Sequence, residues 1–274
     1  RYTLPLIALL AAACSEKENQ PPAAAIEAPV IIHTRANGGD DTNQLNASET
    51  HVKSVRIYIF DGNKLDRMQY FDIPDGGMQL KMRAKVGTNK TFCAVANELP
   101  AMKNELDRVE TPAGLNAVMY TLADYIDRNI DPAQDTPPAP APYFLPFYGE
   151  NSNVTLTEEG ASLTLNIERA VARVDMYLRA EEKASFDCVA TTATNLKIER
   201  SAGKGYFTSV LPNTAQGADR TFAVSTPVQL VKATGSDKSS YKRIFSFYLP
   251  VQRFTQNTDR IRMTLADLTW GENT

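Results

Sequence analysis

From Val55 the chain alternates, with Val55, Ile57 and Ile59 on one side and Arg56, Tyr58 and Phe60 on the other, until it reaches Asp61-Gly62-Asn63. A period of two closed by turn formers predicts a half-buried β-strand. The period returns in Leu80, Met82, Ala84 and Val86, set against Gln79, Lys81, Arg83 and Lys85. After Gly87-Thr88-Asn89 the apolar run Phe92-Cys93-Ala94-Val95-Ala96 follows, so a hairpin is expected here. Upstream, Val30, Ile31, Ile32, His33, Thr34 and Arg35 form a short, largely β-branched run that ends before Asn37-Gly38-Gly39-Asp40-Asp41, which reads as one isolated strand and a loop. Helical spacing occurs in one place: Leu115, Val118, Met119, Leu122, Tyr125 and Ile126 fall on one helix face. That helix is expected to lie across a sheet or its open end.

Within the extended run from Leu163 to Leu178 the apolar parity changes. Leu163, Leu165 and Ile167 are odd, whereas Ala172, Val174, Met176 and Leu178 are even, with Glu168 and Arg169 at the changeover. A strand changes faces only through a bulge or a handover between sheets, so Arg169 is taken as the last residue of one domain. Further strand patterns follow around Leu196 and Ile198, Phe222 and Val224, Val228 and Leu230, residues 244–249, and Ile261, Met263 and Leu265, at spacings that suit a sandwich. The segment 131–146 holds six prolines and reads as a loop. The fold class expected is all-β: two tandem β-sandwich domains, 29–169 and 170–274, with one helix inserted in the N-terminal one.

The N-terminus carries different information. Residues 4–13 are an apolar run of ten between Arg1 and the polar Ser15-Glu16-Lys17-Glu18-Asn19-Gln20. Ten helical residues rise about 15 Å, half of a bilayer core, so residues 1–13 read as a signal peptide. The run ends Leu10-Ala11-Ala12-Ala13-Cys14, which looks like a bacterial lipobox with Cys14 as the lipidated residue; a secretory peptide cut at Ala-x-Ala beside an incidental cysteine is the other reading. Two or three acyl chains such as palmitate would hold the outer membrane stably, at about 0.8 kcal/mol per buried CH₂. Residues 14–28, polar and rich in Pro and Ala, read as a flexible tether.

Composition narrows the chemistry. The net charge of −3, with no long basic run, argues against a nucleic-acid partner. Two histidines, His33 and His51, and three cysteines, Cys14, Cys93 and Cys188, show no ligand spacing, so no metal or cofactor is expected. Cys93 and Cys188 are expected to be free, with Cys93 buried as a small hydrophobe. Asp40-Asp41 and Glu158-Glu159-Gly160 read as turns, no nucleophile elbow is present, and no catalytic residue is nominated.

Three segments acquire meaning together. Val52-Lys53-Ser54-Val55-Arg56-Ile57-Tyr58-Ile59-Phe60-Asp61-Gly62 is similar to the first core strand of the fimbrillin family, the subunits and anchors of type V pili in Bacteroidetes. Thr91-Phe92-Cys93-Ala94-Val95-Ala96-Asn97 resembles that family's strand closing on an Asn, and Ile167-Glu168-Arg169-Ala170-Val171-Ala172-Arg173-Val174 resembles its inter-domain strand. The polar residues after Cys14 resemble the tract that sends such lipoproteins to the cell surface. The resemblance implies two transthyretin-like sandwiches, no enzymatic activity, and adhesion as a fimbrial subunit or membrane anchor. It also implies that an Arg-specific protease removes the leader with its first strand, and that a neighbouring subunit's strand fills the groove. In this chain the step falls on Arg35 and Ala36, the leader strand being Val30, Ile31, Ile32, His33 and Thr34. Retention of the lipid with Arg35 as an ordinary surface charge is the anchor alternative. At the other end, either the segment from Ile261 to Trp270 is itself the mobile donor, or the chain is incomplete, or the subunit ends a polymer and donates nothing; Trp270 also reads as a core residue of the last strand. The reading from a different class is a non-polymerising surface lipoprotein that binds glycan or another soluble ligand.

Overall fold

The computed structural model describes residues 25–36, 51–74, 79–122, 144–180, 186–191, 193–208, 219–224, 227–230, 241–252 and 260–272. The signal peptide, Cys14 and most of the proline-rich loop lie outside them.

Strand β1 is Glu27–Ala36, β2 Ser54–Asp61, β3 Lys64–Asp72, β4 Leu80–Lys85 and β5 Gly87–Ala96. A 3₁₀ turn, Pro100–Met102, runs into the one-turn helix α1, Lys103–Leu106, and α2 is Pro112–Ala117. There follow β6 Met119–Thr121, β7 Phe147–Leu156, β8 Ala161–Arg169 and β9 Val171–Leu178. The second half contributes β10 Phe186–Ala190, β11 Asn195–Glu199, β12 Lys204–Tyr206, β13 Arg220–Ala223, β14 Val228–Leu230, β15 Lys242–Pro250, β16 Arg262–Ala266 and β17 Thr269–Glu272. The molecule is mostly β, as the alternation required.

Seven strands of the first half pair in the order β3-β2-β5-β7-β8-β1-β4. The link between the two parts of this sheet is β8, which pairs with β1 over 161–167 and with β7 only at Glu168 and Arg169. The ends of the order approach one another, since the Lys85 amide donates to Asp66 Oδ2 (3.1 Å) and Arg67 of β3 pairs with Glu27 of β1. A curled sheet of this kind encloses one buried cluster, drawn mainly from Ala28 to Val171. A second cluster, from Ala180 to Leu249, lies among β9, β11, β13, β14 and β15. In that half the strands pair as β14-β10-β17, β13-β11-β16 and β15-β9. Where the parity changes, β8 ends at Arg169, the chain bends at Ala170, and β9 leaves to pair with β15.

Several expectations are corrected. The alternation in β2 predicts one wet face, yet all residues from Ser54 to Phe60 are buried. The cover comes from the segment after β5: Tyr58 Oη donates to the Leu106 carbonyl (2.9 Å), and the Leu65 amide donates to the Glu110 carbonyl (2.8 Å). No hairpin joins β4 to β5, because β4 pairs with β1 whereas β5 pairs with β2 and β7. Only Val86 separates them, too short a link for a reversal, so the chain turns a corner from one part of the sheet to the other.

Among the described residues, the helix expected over Leu115 to Ile126 is present as Pro112–Ala117, opened by the Thr111 side chain accepting from the Gly114 amide (3.0 Å), is interrupted by β6, and is helical again at Leu122. In the interruption Val118 and Tyr120 are buried and Met119 and Thr121 half-buried, the alternation of a strand. Tyr125 and Ile126 lie outside the described residues. Residues 261–270 form no single strand: β16 pairs with β11, and β17 pairs with β10.

Candidate functional site

β1 is the element whose placement carries most functional meaning. It lies between β4 and β8, antiparallel to the first (Glu27 opposite Lys85 through Ile32 opposite Leu80) and parallel to the second (Val30 opposite Ala161 through Ala36 opposite Ile167). Only residues 30–32 pair on both sides. Strands so distant in sequence meet here because Ala28, Val30 and Ile32, each 0% exposed, drop into the first core beside Leu80, Ala84, Leu165 and Ile167. Burial of these side chains contributes roughly 4–7 kcal/mol. The strand also begins earlier than a tether ending at residue 28 allows, since Ala28 is already core.

Of the residues singled out in the sequence, Val30 and Ile32 face inward, Ile31 and Thr34 are half-buried, and His33 and Arg35 are exposed. Arg35 does not stand in a loop: it is within the strand, opposite Asn166 of β8, and the strand continues through Ala36. Among the described residues, residues 33–36 are held by β8 alone and residues 27–29 by β4 alone, so both ends of β1 have fewer backbone bonds to break than its middle. Cys14 lies outside the described residues.

Two fastenings were not evident in the sequence. Glu27 forms an ion pair with Arg67, and its carbonyl accepts from Arg83 Nη2 (2.6 Å). Gly160, in the turn between β7 and β8, has φ +101°, and a Cβ there would lie 2.5 Å from the Pro29 carbonyl oxygen. Glycine at this turn lets β1 approach, which the reading of 158–160 as a plain turn does not reveal.

The core around the groove is electrostatically closed. Arg56, 1% exposed, forms a two-bond fork to Glu98 (2.6 and 2.7 Å), and its Nη1 donates to Asp107 Oδ1 (2.6 Å). The Lys103 ammonium, followed by Arg56, lowers the Asp107 carboxyl below its ordinary range. Cys93, 2% exposed, has its thiol pushed up to about 12 by burial, so it stays protonated and inert at neutral pH. Asn97, which follows β5, has φ +58°. Its Nδ2 donates to the His51 and Leu145 carbonyls (2.9 Å each) and its Oδ1 accepts from the Lys53 amide (2.8 Å). One side chain thus ties two incoming loops to the end of β5. β1 is thus held as an extended segment with backbone partners on both sides over residues 30–32.

With this geometry in place, comparison with known proteins is informative. The chain belongs to the family of fimbrillin-A associated anchor proteins Mfa1 and Mfa2, whose family model matches residues 21–274. Its fold is similar to that of a candidate cell adhesion protein from Parabacteroides distasonis (TM-score 0.56, 12% identity, 88% of this chain and 74% of that one). It is also similar to a candidate cell adhesion protein from Bacteroides eggerthii (TM-score 0.55, 14% identity, 90% and 78%). The tip fimbrial protein Mfa3 from Porphyromonas gingivalis, truncated at its C-terminus, aligns with a TM-score of 0.50 at 14% identity over 89% of this chain and 80% of its own. At such identities the likeness concerns the fold. A search of curated proteins finds no match. The fimbrial family and a cell-surface place follow from the family match.

Proposed function

We propose that this chain is a structural component of a surface fimbria, exported as a lipoprotein through Cys14, in which β1 is a removable strand. The observation that carries this reading is the seat of β1: a strand remote in sequence from both neighbours supplies three core side chains and the pairing on two edges. Its departure leaves unpaired N–H and C=O groups above an apolar trough, a strong acceptor for an extended segment of another subunit. With β1 in place the chain is closed and lipid-tethered, the state an anchor requires. Cutting between Arg35 and Ala36 releases lipid and strand together and opens the groove. Because both residues are paired with β8, the cut follows local peeling of residues 33–36.

The chain divides at Arg169 into two sandwich domains of transthyretin-like type, a division that the two buried clusters support. Partners are then neighbouring subunits, an Arg-specific surface protease and the outer membrane.

The test is brief digestion of the purified full-length chain with an Arg-specific protease, read by intact mass and size-exclusion chromatography. A single cut after Arg35 with a shift to oligomers supports the proposal. Resistance of Arg35, or a cut chain that stays monomeric, overturns the processing step and leaves a permanently closed anchor.

A further inference from the structure

Outside the groove, the first half contains one buried amine aimed at a buried carboxylate. Lys90 of β5 is 0% exposed; its Nζ lies 2.9 Å from Asp66 Oδ2 and 3.2 Å from Asp61 Oδ2. Asp66 is 1% exposed and Asp61 58%. Neither Lys90 nor Asp66 arrives by regular strand geometry. On β3, Arg67 faces Ile59 and Leu65 faces Phe60, which leaves Asp66 as the extra residue of a bulge. On β5 the register to β7 shifts on both sides of Lys90, and the preceding Asn89 has φ +56°. Bulges re-aim side chains, and here two of them, on strands that flank β2, point a nucleophile and an electrophile at each other.

As an ion pair the arrangement is poor. Both charges are out of water, and Asp66 Oδ1 is buried without a hydrogen-bond partner, while Oδ2 accepts from the Lys85 amide (3.1 Å).

We propose that Lys90 and Asp66 condense to an intramolecular amide, a covalent cross-link between β5 and β3. Proton transfer within the pair gives a neutral amine and a carboxylic acid. Nζ then attacks Asp66 Cγ, the Cγ–Oδ1 bond breaks, and Oδ1 leaves as water. Of the three ammonium protons two depart with that water and one stays on the amide nitrogen, so no oxidant or co-reactant is needed. The retained oxygen, Oδ2, is the one already bonded to the Lys85 amide, and the oxygen lost is the unpartnered one. Asp61, within reach of Nζ and open to solvent, relays a proton from nitrogen to the leaving oxygen and marks the exit for water. Holding amine and carboxyl in contact supplies an effective concentration of about 10⁵ M or more, enough to drive condensation that dilute reactants do not achieve.

Peptide mapping of the folded, purified full-length protein tests this directly. Trypsin acting on an unlinked chain cuts after Lys64, Arg67, Lys85, Lys90 and Lys103. The cross-link predicts no cut at Lys90 and a branched species joining residues 65–67 to 86–103, lighter than the sum of its parts by one water. Asp66→Asn gives the same branched product with loss of ammonia instead, Lys90→Met abolishes it, and Asp61→Ala forms it at about one-hundredth the rate. Free peptides 65–67 and 86–90 from the wild-type protein, with no branched species, overturn the proposal.

Discussion

At the scale of single residues, the decisive side chains are polar ones placed where apolar ones would be expected. Arg56 is buried with Glu98, which is itself 5% exposed. Replacing Arg56 by Leu leaves that carboxylate without its partner, and a loss of about 3–5 kcal/mol in chemical denaturation is expected. The same network sets an acid limit. The folded Asp107 carboxyl titrates below its ordinary value of 3.8, so its contribution is complete above that value and is lost as pH falls through the lowered one. Denaturant midpoints should therefore decline below about pH 4, and less so in Asp107→Asn than in the wild type. Asn97→Ala removes three loop-tying bonds at a left-handed backbone position and should cost about 2–4 kcal/mol. Cys93, by contrast, should resist alkylation at pH 8 until the protein is unfolded, as peptide mapping after labelling would show. The burial of Cys93 was readable from the apolar run around it. The burial of Arg56 was not, because the segment that covers it lies forty or more residues downstream and carries no local signature.

At the scale of elements, alternation revealed most strands but not their partners. The residues of β4 and β5 alternate as hairpin strands do, and nothing local says that Val86 is a corner. The helix expected over 115–126 is broken for a specific reason: among the described residues Met119 to Thr121 form a strand through the fully buried Tyr120, with helix on either side at 112–117 and at Leu122. The pairing of β6 with β12, from the second half of the chain, selected the strand, with Gly205 opposite Tyr120. β1 was legible as a β-branched run; that it serves two neighbours was not. Its dependence on Gly160 is testable. Gly160→Ala forces a methyl group toward the Pro29 carbonyl at a positive φ, so β1 should seat less firmly. Faster hydrogen exchange at the amides of residues 30–32, and faster cutting after Arg35, are the expected results.

At the scale of the whole molecule, the described residues form two buried clusters that meet at the bend between β8 and β9. Tyr120 Oη donates to the Ala170 carbonyl (2.6 Å) at the bend between β8 and β9, and its ring meets Phe207 edge-on at 5.5 Å. Phe207 and Tyr248, from the second half, are buried in the first cluster. Tyr120→Ala should cost about 3–5 kcal/mol and, in calorimetry, should separate the melting of the two clusters. β1 as the removable strand of a fimbrial component makes one behaviour of the whole molecule depend on a single element. Its most direct test is a lock: His33→Cys with Thr164→Cys, two exposed positions opposite one another on β1 and β8, oxidised to a disulfide before cleavage after Arg35. The cut, locked chain should stay monomeric in size-exclusion chromatography and form oligomers once reductant frees the strand. Oligomers from the locked chain, or a monomer after β1 has been released, would contradict it.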